Sequence, residues 1–459
     1  MKKFNIKNKT ENKDKNKIKN VAILYPNKFK AGISCLAVHI LAEHLSKFKE
    51  IDTKVFFIEN YELIKNFDAV FITLQYENDY FNALNIIKSL KKTNPNAIFV
   101  AGGPCIMQNF FPLEKYFDAF IVGEIEGTNV MAELVNRNFN LNGVYSKYTK
   151  PKKIKRIYPK KLTIDDYPIY QPTSEESAYG KSFLLEIGRG CPRRCKFCLA
   201  RAIYYPPRFR KLEDLMYLAE EGIKVNKVNK VALISPSVGD YKYIVELCNF
   251  LDEKGVQVSP SSLRADTITE ELMKVLKLKT LTIAPEAGSE RLREFIKKDI
   301  SEEDIMNAVD IAKKFNVEKI KLYFMVGLPT ETEEDVEEII NLSKKIKNQI
   351  KKVEVSINPM IPKPHTDFEM EPFDLSSKQK VKYIEKKLKK ENIKVGTENF
   401  NAMVCQCVLA RGDKIIGDYL GRSKNYSQLL SSLKKDKLLG TYLSNIDPKK
   451  APWKAIEIK

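Results

Sequence analysis

Phe183-Leu184-Leu185-Glu186-Ile187-Gly188-Arg189-Gly190-Cys191-Pro192-Arg193-Arg194-Cys195-Lys196-Phe197-Cys198 is the stretch from which the rest of the chain is read. An apolar, strand-like run delivers two glycines and then three cysteines at C-x3-C-x2-C spacing. Glycine permits the tight backbone that lets such a loop fold back and aim three thiolates at one centre. Three thiolates are one short of the set that usually closes an iron–sulfur cluster, so a 4Fe–4S cluster held here keeps one iron open. An open iron suits chemistry at the cluster better than electron storage. The competing readings are a zinc site or three unrelated buried thiols. Zinc usually takes four ligands, often as two C-x2-C pairs, and no fourth cysteine or histidine lies nearby in sequence.

Around this loop the chain reads as an ordinary soluble α/β protein. Its 459 residues suffice for two or three cores, and its hydrophobic content is 43%. No run approaches 18 apolar residues and the N-terminus has no apolar signal core, so a cytoplasmic protein without a membrane span is expected. Eight cysteines in a chain this long favour reduced thiols and a metal site over a disulfide framework. An open-iron cluster is oxygen-sensitive, which fits an anaerobic cytosol. The formal charge of +19 is concentrated at the ends. Residues 1–20 hold eight lysines against one Glu and one Asp, and residues 376–459 hold 19 Lys/Arg against eight Asp/Glu. Basic ends suit docking to RNA or an acidic protein. Lysine-rich composition on solvated faces explains them better, since no aromatic platform accompanies them.

In order, residues 1–20 read as a disordered basic tail. Residues 21–135 alternate short buried strands (Val21–Tyr25, Thr53–Ile58, Ala69–Leu74, Ala97–Val100, Phe117–Glu124) with helices, the pattern of a Rossmann-like open parallel sheet. Ligands of such sheets bind at the carboxyl ends of the strands, here Tyr25-Pro26-Asn27, Leu74-Gln75-Tyr76-Glu77, Gly102-Gly103-Pro104 and Gly123-Glu124. Residues 136–180 read as a linker. Residues 181–370 resume the alternation in six strand–helix units, a partial (β/α)6 barrel whose chemistry belongs at the strand carboxyl ends. Residues 371–459 read as a small basic α+β cap, with a helix at Ser376–Lys390 and a strand at Ala402–Leu409. On that strand Cys405 and Cys407 share one face. They are candidate ligands of a second centre only if further ligands converge there.

The cysteine spacing, with Phe197 directly before the third thiol, resembles the radical S-adenosylmethionine (SAM) superfamily. SLRAD (262–266), APEAGSERLR (284–293), FMVGLPTETEED (324–335) and NPMIPKPHT (358–366) resemble the members with an N-terminal cobalamin-binding-like domain. The strand ends YPN, LQYENDYFNAL, AGGP and FDAFIVGE resemble that domain. The resemblance implies a 4Fe–4S cluster on Cys191, Cys195 and Cys198. It implies SAM near Glu286, Ser289, Arg264, Lys321 and Gly327, and cobalamin near Gln75, Tyr76, Gly102, Gly103 and Pro104. It further implies an external electron donor, reductive cleavage of SAM and methylation of an unactivated carbon. Structural roles compete at several positions: a helix cap for Glu286, a salt bridge to Asp266 or Glu286 for Arg264, and a proline-held loop for His365. No D-x-H-x-x-G motif is present. His39 and His44 read as ordinary helix residues, so no histidine is expected on cobalt. A methylthiotransferase is a second reading, weakened because Cys35 and Cys105 are the only N-terminal cysteines. A non-catalytic iron–sulfur protein that binds RNA is a third. The basic cap, if it lies over the barrel mouth, suits a protein or RNA substrate.

Overall fold

The computed structural model describes residues 18–458; the expected basic tail falls almost wholly outside them. The N-terminal sheet contains β1 (Lys19–Tyr25), β2 (Ile51–Phe57), β3 (Ala69–Thr73), β4 (Ile98–Gly102), β5 (Ala119–Ile121) and β6 (Val144–Ser146), in the order β2-β1-β3-β4-β5-β6. The first five are parallel and β6 is antiparallel to β5. All of Ala69–Thr73 is buried, as expected of a strand covered on both faces. The order changes direction between β1 and β3, and that switch opens a crevice at their carboxyl ends. β6 lies inside the segment read as a linker: three buried residues were too few to show a period.

The second unit holds seven parallel strands. β7 (Phe183–Glu186), β8 (Lys230–Ile234) and β9 (Gln257–Pro260) form one ladder. β10 (Thr280–Glu286), β11 (Lys319–Val326), β12 (Lys352–Pro359) and β13 (Lys394–Gly396) form another. Among the described residues no ladder joins β9 to β10. Alternate residues Ile320, Leu322, Phe324 and Val326 are buried against the surrounding helices. The helices start where the sequence supplies caps. Ser301 with Asp304 and Thr332 with Asp335 form capping boxes that open helices Glu302–Lys314 and Glu333–Lys347.

The C-terminal part departs from expectation in three ways. Helix Ser377–Lys390, read as part of a cap, packs on helix Glu333–Lys347 and on β11, β12 and β13, so it completes the helical layer around the strands. The expected strand at Ala402–Leu409 is a helix, Phe400–Arg411, opened by the Asn399 side chain, which accepts from the Ala402 amide at 3.1 Å. A short apolar run cannot be assigned to strand or buried helix by period alone. Cys405 and Cys407, two apart on a helix, point in different directions, and both are buried in a core shared with the N-terminal sheet. Third, the terminal helices sit on the N-terminal domain. Asn109 donates to the Ala410 and Gly412 carbonyls at 3.0 and 2.7 Å, and the Tyr116 hydroxyl donates to Gly417 O at 2.7 Å. The C-terminal segment therefore clasps the first domain.

Candidate active site

The cysteine loop leaves β7 and is fixed on both sides. Gly190 has φ +80°, and a Cβ there would come within 2.5 Å of Tyr204 O, so the approach to the first cysteine is closed to other residues. Lys196 N donates to Ile296 O (2.9 Å), and Asp367 N donates to Lys196 O (3.0 Å). Phe197 packs on the small cluster of Ala287, Leu292, Ile296, Leu328, Met360 and Phe368. Arg193 binds Asp240 at 3.0–3.1 Å through Nε and Asp266 at 3.0 Å through Nη1. All three cysteines are free thiols. Burial raises each, Cys198 to about 11. The Lys298 ammonium and Arg264 guanidinium beside Cys195 pull the other way. Among the described residues no three His, Cys, Asp or Glu side chains converge on a single-ion site. Three thiols supplied by one loop, with cations beside them, are the donor chemistry that holds an iron–sulfur cluster.

Of the residues expected around SAM, Arg264 and Glu286 stand beside the loop. Glu286 closes β10 at φ +72°, an uncommon conformation for a residue with a Cβ, and pairs with Lys298 at 3.2 Å. Backbone of this kind concentrates at functional sites. Arg264 is engaged with Asp266 (2.9 and 3.2 Å) and the Lys298 carbonyl (2.8 Å), so it braces the loop's surroundings. Ser289 is a helix cap, accepting from Leu292 N at 3.2 Å and donating to Asp335. The Gly327 amide donates to the Glu331 carboxylate at 2.9 and 3.0 Å. Lys321 lies midway along β11, on the face opposite the helices.

At the carboxyl edge of the N-terminal sheet lies a half-open cavity of about 340 Å³. Gln75, Gly102, Gly103 and Pro104 line it, as expected. Gly103 has φ +101°, and a Cβ there would meet Leu74 O at 2.7 Å, so only glycine lets this wall form. Tyr76 does not reach the cavity; it is 37% exposed, and its hydroxyl accepts from Asn78 at 2.8 Å. The opposite wall belongs to the second unit: Glu186, Gly188, Arg189, Tyr204 and Ile234–Pro236. The cavity thus ends two residues before Cys191. A mostly apolar lining and an open mouth fit a large flat ring whose polar edge stays in water. The chain has three histidines, and none lines the cavity. His39 binds the Ile33 carbonyl at 3.1 Å, and burial lowers it to about 4. His44 faces Asp166, and His365 binds the Gln108 carbonyl at 3.0 Å.

Two buried charge networks join the units, and neither is visible as a local motif. Arg189 contacts Glu124 (2.8 Å), Glu126 (2.7 Å) and Glu186 (2.9 Å); Arg208 also binds Glu124 at 2.9 Å and Arg210 also binds Glu186 at 3.0 Å. Second, Glu77, 2% exposed, accepts from Lys363, Gln108 and Gln406, joining β3's loop, the second unit and the terminal helices. Burial pushes the Glu77 carboxyl up, but the Lys363 charge and these donors outweigh it and hold it below the usual range.

Parallel strands around a three-cysteine loop define a class of SAM-cleaving iron–sulfur enzymes, and the comparisons agree. The radical SAM superfamily profile matches residues 185–343, and the profile for the N-terminal region of radical SAM proteins matches 31–158. The chain belongs to the radical SAM superfamily and is an enzyme; membership implies a 4Fe–4S cluster and SAM. Its relatives include an uncharacterized protein of Methanocaldococcus jannaschii, 74% identical over 96% of this chain and 99% of that protein. An uncharacterized methyltransferase of Pyrococcus horikoshii is 27% identical over 69% of this chain and 73% of that protein. A tRNA-2-methylthio-N(6)-dimethylallyladenosine synthase of Sulfurihydrogenibium is 25% identical over 65% and 69%. Similar folds occur in the radical SAM methyltransferase TsrM of Kitasatospora setae, solved with cobalamin and a 4Fe–4S cluster (TM-score 0.59, 13% identity, 77% of this chain and 74% of that one). They also occur in the cobalamin-dependent SAM radical enzyme OxsB (TM-score 0.54, 13% identity, 82% and 56%). No helix among the described residues is long and apolar enough to cross a membrane.

Proposed function

We propose that this enzyme is a cobalamin-dependent radical SAM methyltransferase that adds a methyl group to an unactivated carbon. One observation carries the reading: the glycine-walled cavity at the N-terminal strand ends shares its other wall, Glu186–Arg189, with the start of the cysteine loop. A cofactor in the first domain would then face the site of SAM cleavage. When bound, the cluster supplies one-electron reduction of SAM and cobalamin supplies a transferable methyl group. Cys191, Cys195 and Cys198 would hold the cluster. Glu286 stands ready for the SAM ribose or amino group, with Lys298 as its partner until then. Gln75 and the Gly102-Gly103-Pro104 turn would contact cobalamin. Arg189 holds the two walls in register, and Phe197 and its apolar neighbours keep water from one side of the loop. The similarity to a methylthiotransferase points to a different use of the same scaffold. The N-terminal domain offers only Cys35 and Cys105 toward the second cluster such a reaction needs. The test is anaerobic reconstitution with iron, sulfide and hydroxocobalamin, followed by reduction in the presence of SAM labelled in its methyl group. Release of 5′-deoxyadenosine together with label on cobalamin is expected. Deoxyadenosine without any bound cobalamin would refute the methyltransferase reading and leave the superfamily chemistry standing.

A further inference from the structure

Barrels of this kind usually fill their interior with packed side chains. Here the inner face of β10–β13 is not filled. Residues alternate: Ile320, Leu322 and Phe324 are buried toward the helices, whereas Lys321 and Met325 are half-buried and Tyr323 is 42% exposed on the inner side. The strand register arranges this face in layers. Thr282, Lys321, Glu354 and Lys394 lie side by side in one layer. Tyr323 pairs with Ser356 in the layer above. The next layer up contains Met325 and Asn358, and Glu286 closes β10 opposite Phe324, one residue below that level. Glu354, the one acid in these layers below Glu286, is already bound by two cations, Lys319 at 3.5 Å and Lys394 at 3.9 Å. The Lys321 side chain makes no ion pair or hydrogen bond among the described residues. A cation set inside a barrel, its one neighbouring carboxylate shared by two other lysines, faces an unbalanced field. The Lys321 Cα lies four residues below Met325, about 13 Å along the strand and further still below the cysteine loop. That depth is beyond what a side chain of this length covers to reach a group at the rim.

We propose that the substrate of this enzyme carries an anionic group, a phosphate or a carboxylate, that seats on Lys321 on the inner face of β10–β12. The hydroxyls of Thr282, Tyr323 and Ser356 surround the seat and complete its hydrogen bonds. The substrate's other end, directed at the strand carboxyl ends, is then the one presented for reaction. This rests on the methyl-transfer reading for the reaction but not for the binding. The test is calorimetric titration of the cluster-loaded protein with inorganic phosphate and with acetate at constant ionic strength. One saturable site is expected, weakened about tenfold or more in Lys321→Met, since a hydrogen bond to a charged group is lost. Lys321→Arg retains it to within about threefold, Thr282→Val weakens it less than Lys321→Met does, and Lys386→Met, on the outer helix, leaves it unchanged. Tighter phosphate identifies a phosphoryl substrate, and tighter acetate a carboxylate. Absence of saturable binding, or equal affinity in wild type and Lys321→Met, overturns the proposal. So does a loss in Lys321→Met that falls on SAM affinity instead, which places this lysine at the cofactor. The methyl-transfer reading fails or stands on product analysis alone, so the two outcomes are scored separately.

Discussion

Replacing Lys363 with Met tests whether the two units and the terminal helices are locked by one buried charge pair. Glu77 is 2% exposed and the Lys363 side chain 12% exposed, so the pair is shielded from solvent and salt. In the variant the Gln108 and Gln406 amides remain, but the carboxylate loses the one cation that pairs with it among the described residues. Breaking a buried pair from one side costs about 3–5 kcal/mol, because the surviving charge stays buried. The pH dependence carries the signature. In the wild type the Glu77 pKa lies below its unfolded value, so the pair's contribution is complete above the ordinary carboxylate range and is lost as pH falls through the depressed value. In Lys363→Met, burial acts with no cation to oppose it and the carboxyl is raised. The variant's deficit therefore shrinks as pH falls from 7 toward 5. The double variant Glu77→Leu/Lys363→Met removes both charges and is expected to cost less than the single one. Denaturant unfolding followed through the single tryptophan, Trp453, measures all three; it is fully buried and bonded to Glu369 at 2.7 Å. A Lys363→Met stability within about 0.5 kcal/mol of wild type at pH 7, the range of ordinary surface substitutions, would refute the reasoning.

Alanine at Cys191, Cys195 and Cys198 together is expected to abolish bound iron, whereas alanine at Cys35, Cys105 or Cys248 leaves about four irons per chain by colorimetric assay. If cobalamin binds, paramagnetic resonance of its Co(II) form is expected to lack axial-nitrogen coupling, because His39, His44 and His365 all lie off the cavity. Burial raises Asp79 to about 6, so the folded state holds a proton the unfolded chain has released between roughly pH 4 and 6, and stability falls as pH rises across that window. Asp79→Asn, which keeps an acceptor for Asn27, is expected to be more stable than wild type at pH 7 by thermal unfolding and to lose that advantage below pH 4. Charge reversal at Lys386, Lys387, Lys389 and Lys390, on the outer layer behind β11–β13, is expected to leave the Michaelis constant of a small substrate unchanged; a salt-dependent rise would reveal a polyanionic substrate docking there.

What could be read from the sequence was what is local. Residues 21–25 and 69–72 are continuous apolar runs, and such runs at strand length are parallel, doubly covered strands. The cysteine loop and the Gly102-Gly103 turn announced themselves because few residues tolerate those backbones. Lys394-Val395-Gly396 is too short to show a period, so the seventh strand was invisible and helix Ser377–Lys390 was assigned to a cap. Ala402–Leu409 was read by its apolar run, while the decisive signal was one capping side chain three residues upstream, Asn399. Ser289 and Thr332–Asp335 sit in family-like motifs, yet their observed contacts start helices. Glu77 and Lys363 are 286 positions apart, and nothing at either position names the other.

The Arg189 network is the physical reason the two halves of the candidate site face each other. Three carboxylates, Glu124, Glu126 and Glu186, are met by three guanidiniums, Arg189, Arg208 and Arg210, with the side chains of Glu124 and Arg208 no more than 5% exposed. Such a set is not a reservoir of stability, since desolvation offsets much of the attraction. Its value is geometric. A planar guanidinium in contact with acids from both units fixes distance and angle together. Glu124 and Glu126 follow β5, Glu186 closes β7, and Arg189 stands two residues before Cys191. Any shift of the first domain relative to the cysteine loop would therefore leave one of these charges buried and unpaired. A lysine at position 189 would keep the charge and lose the fork, which is why the cavity wall and the cluster loop require arginine at the residue between them.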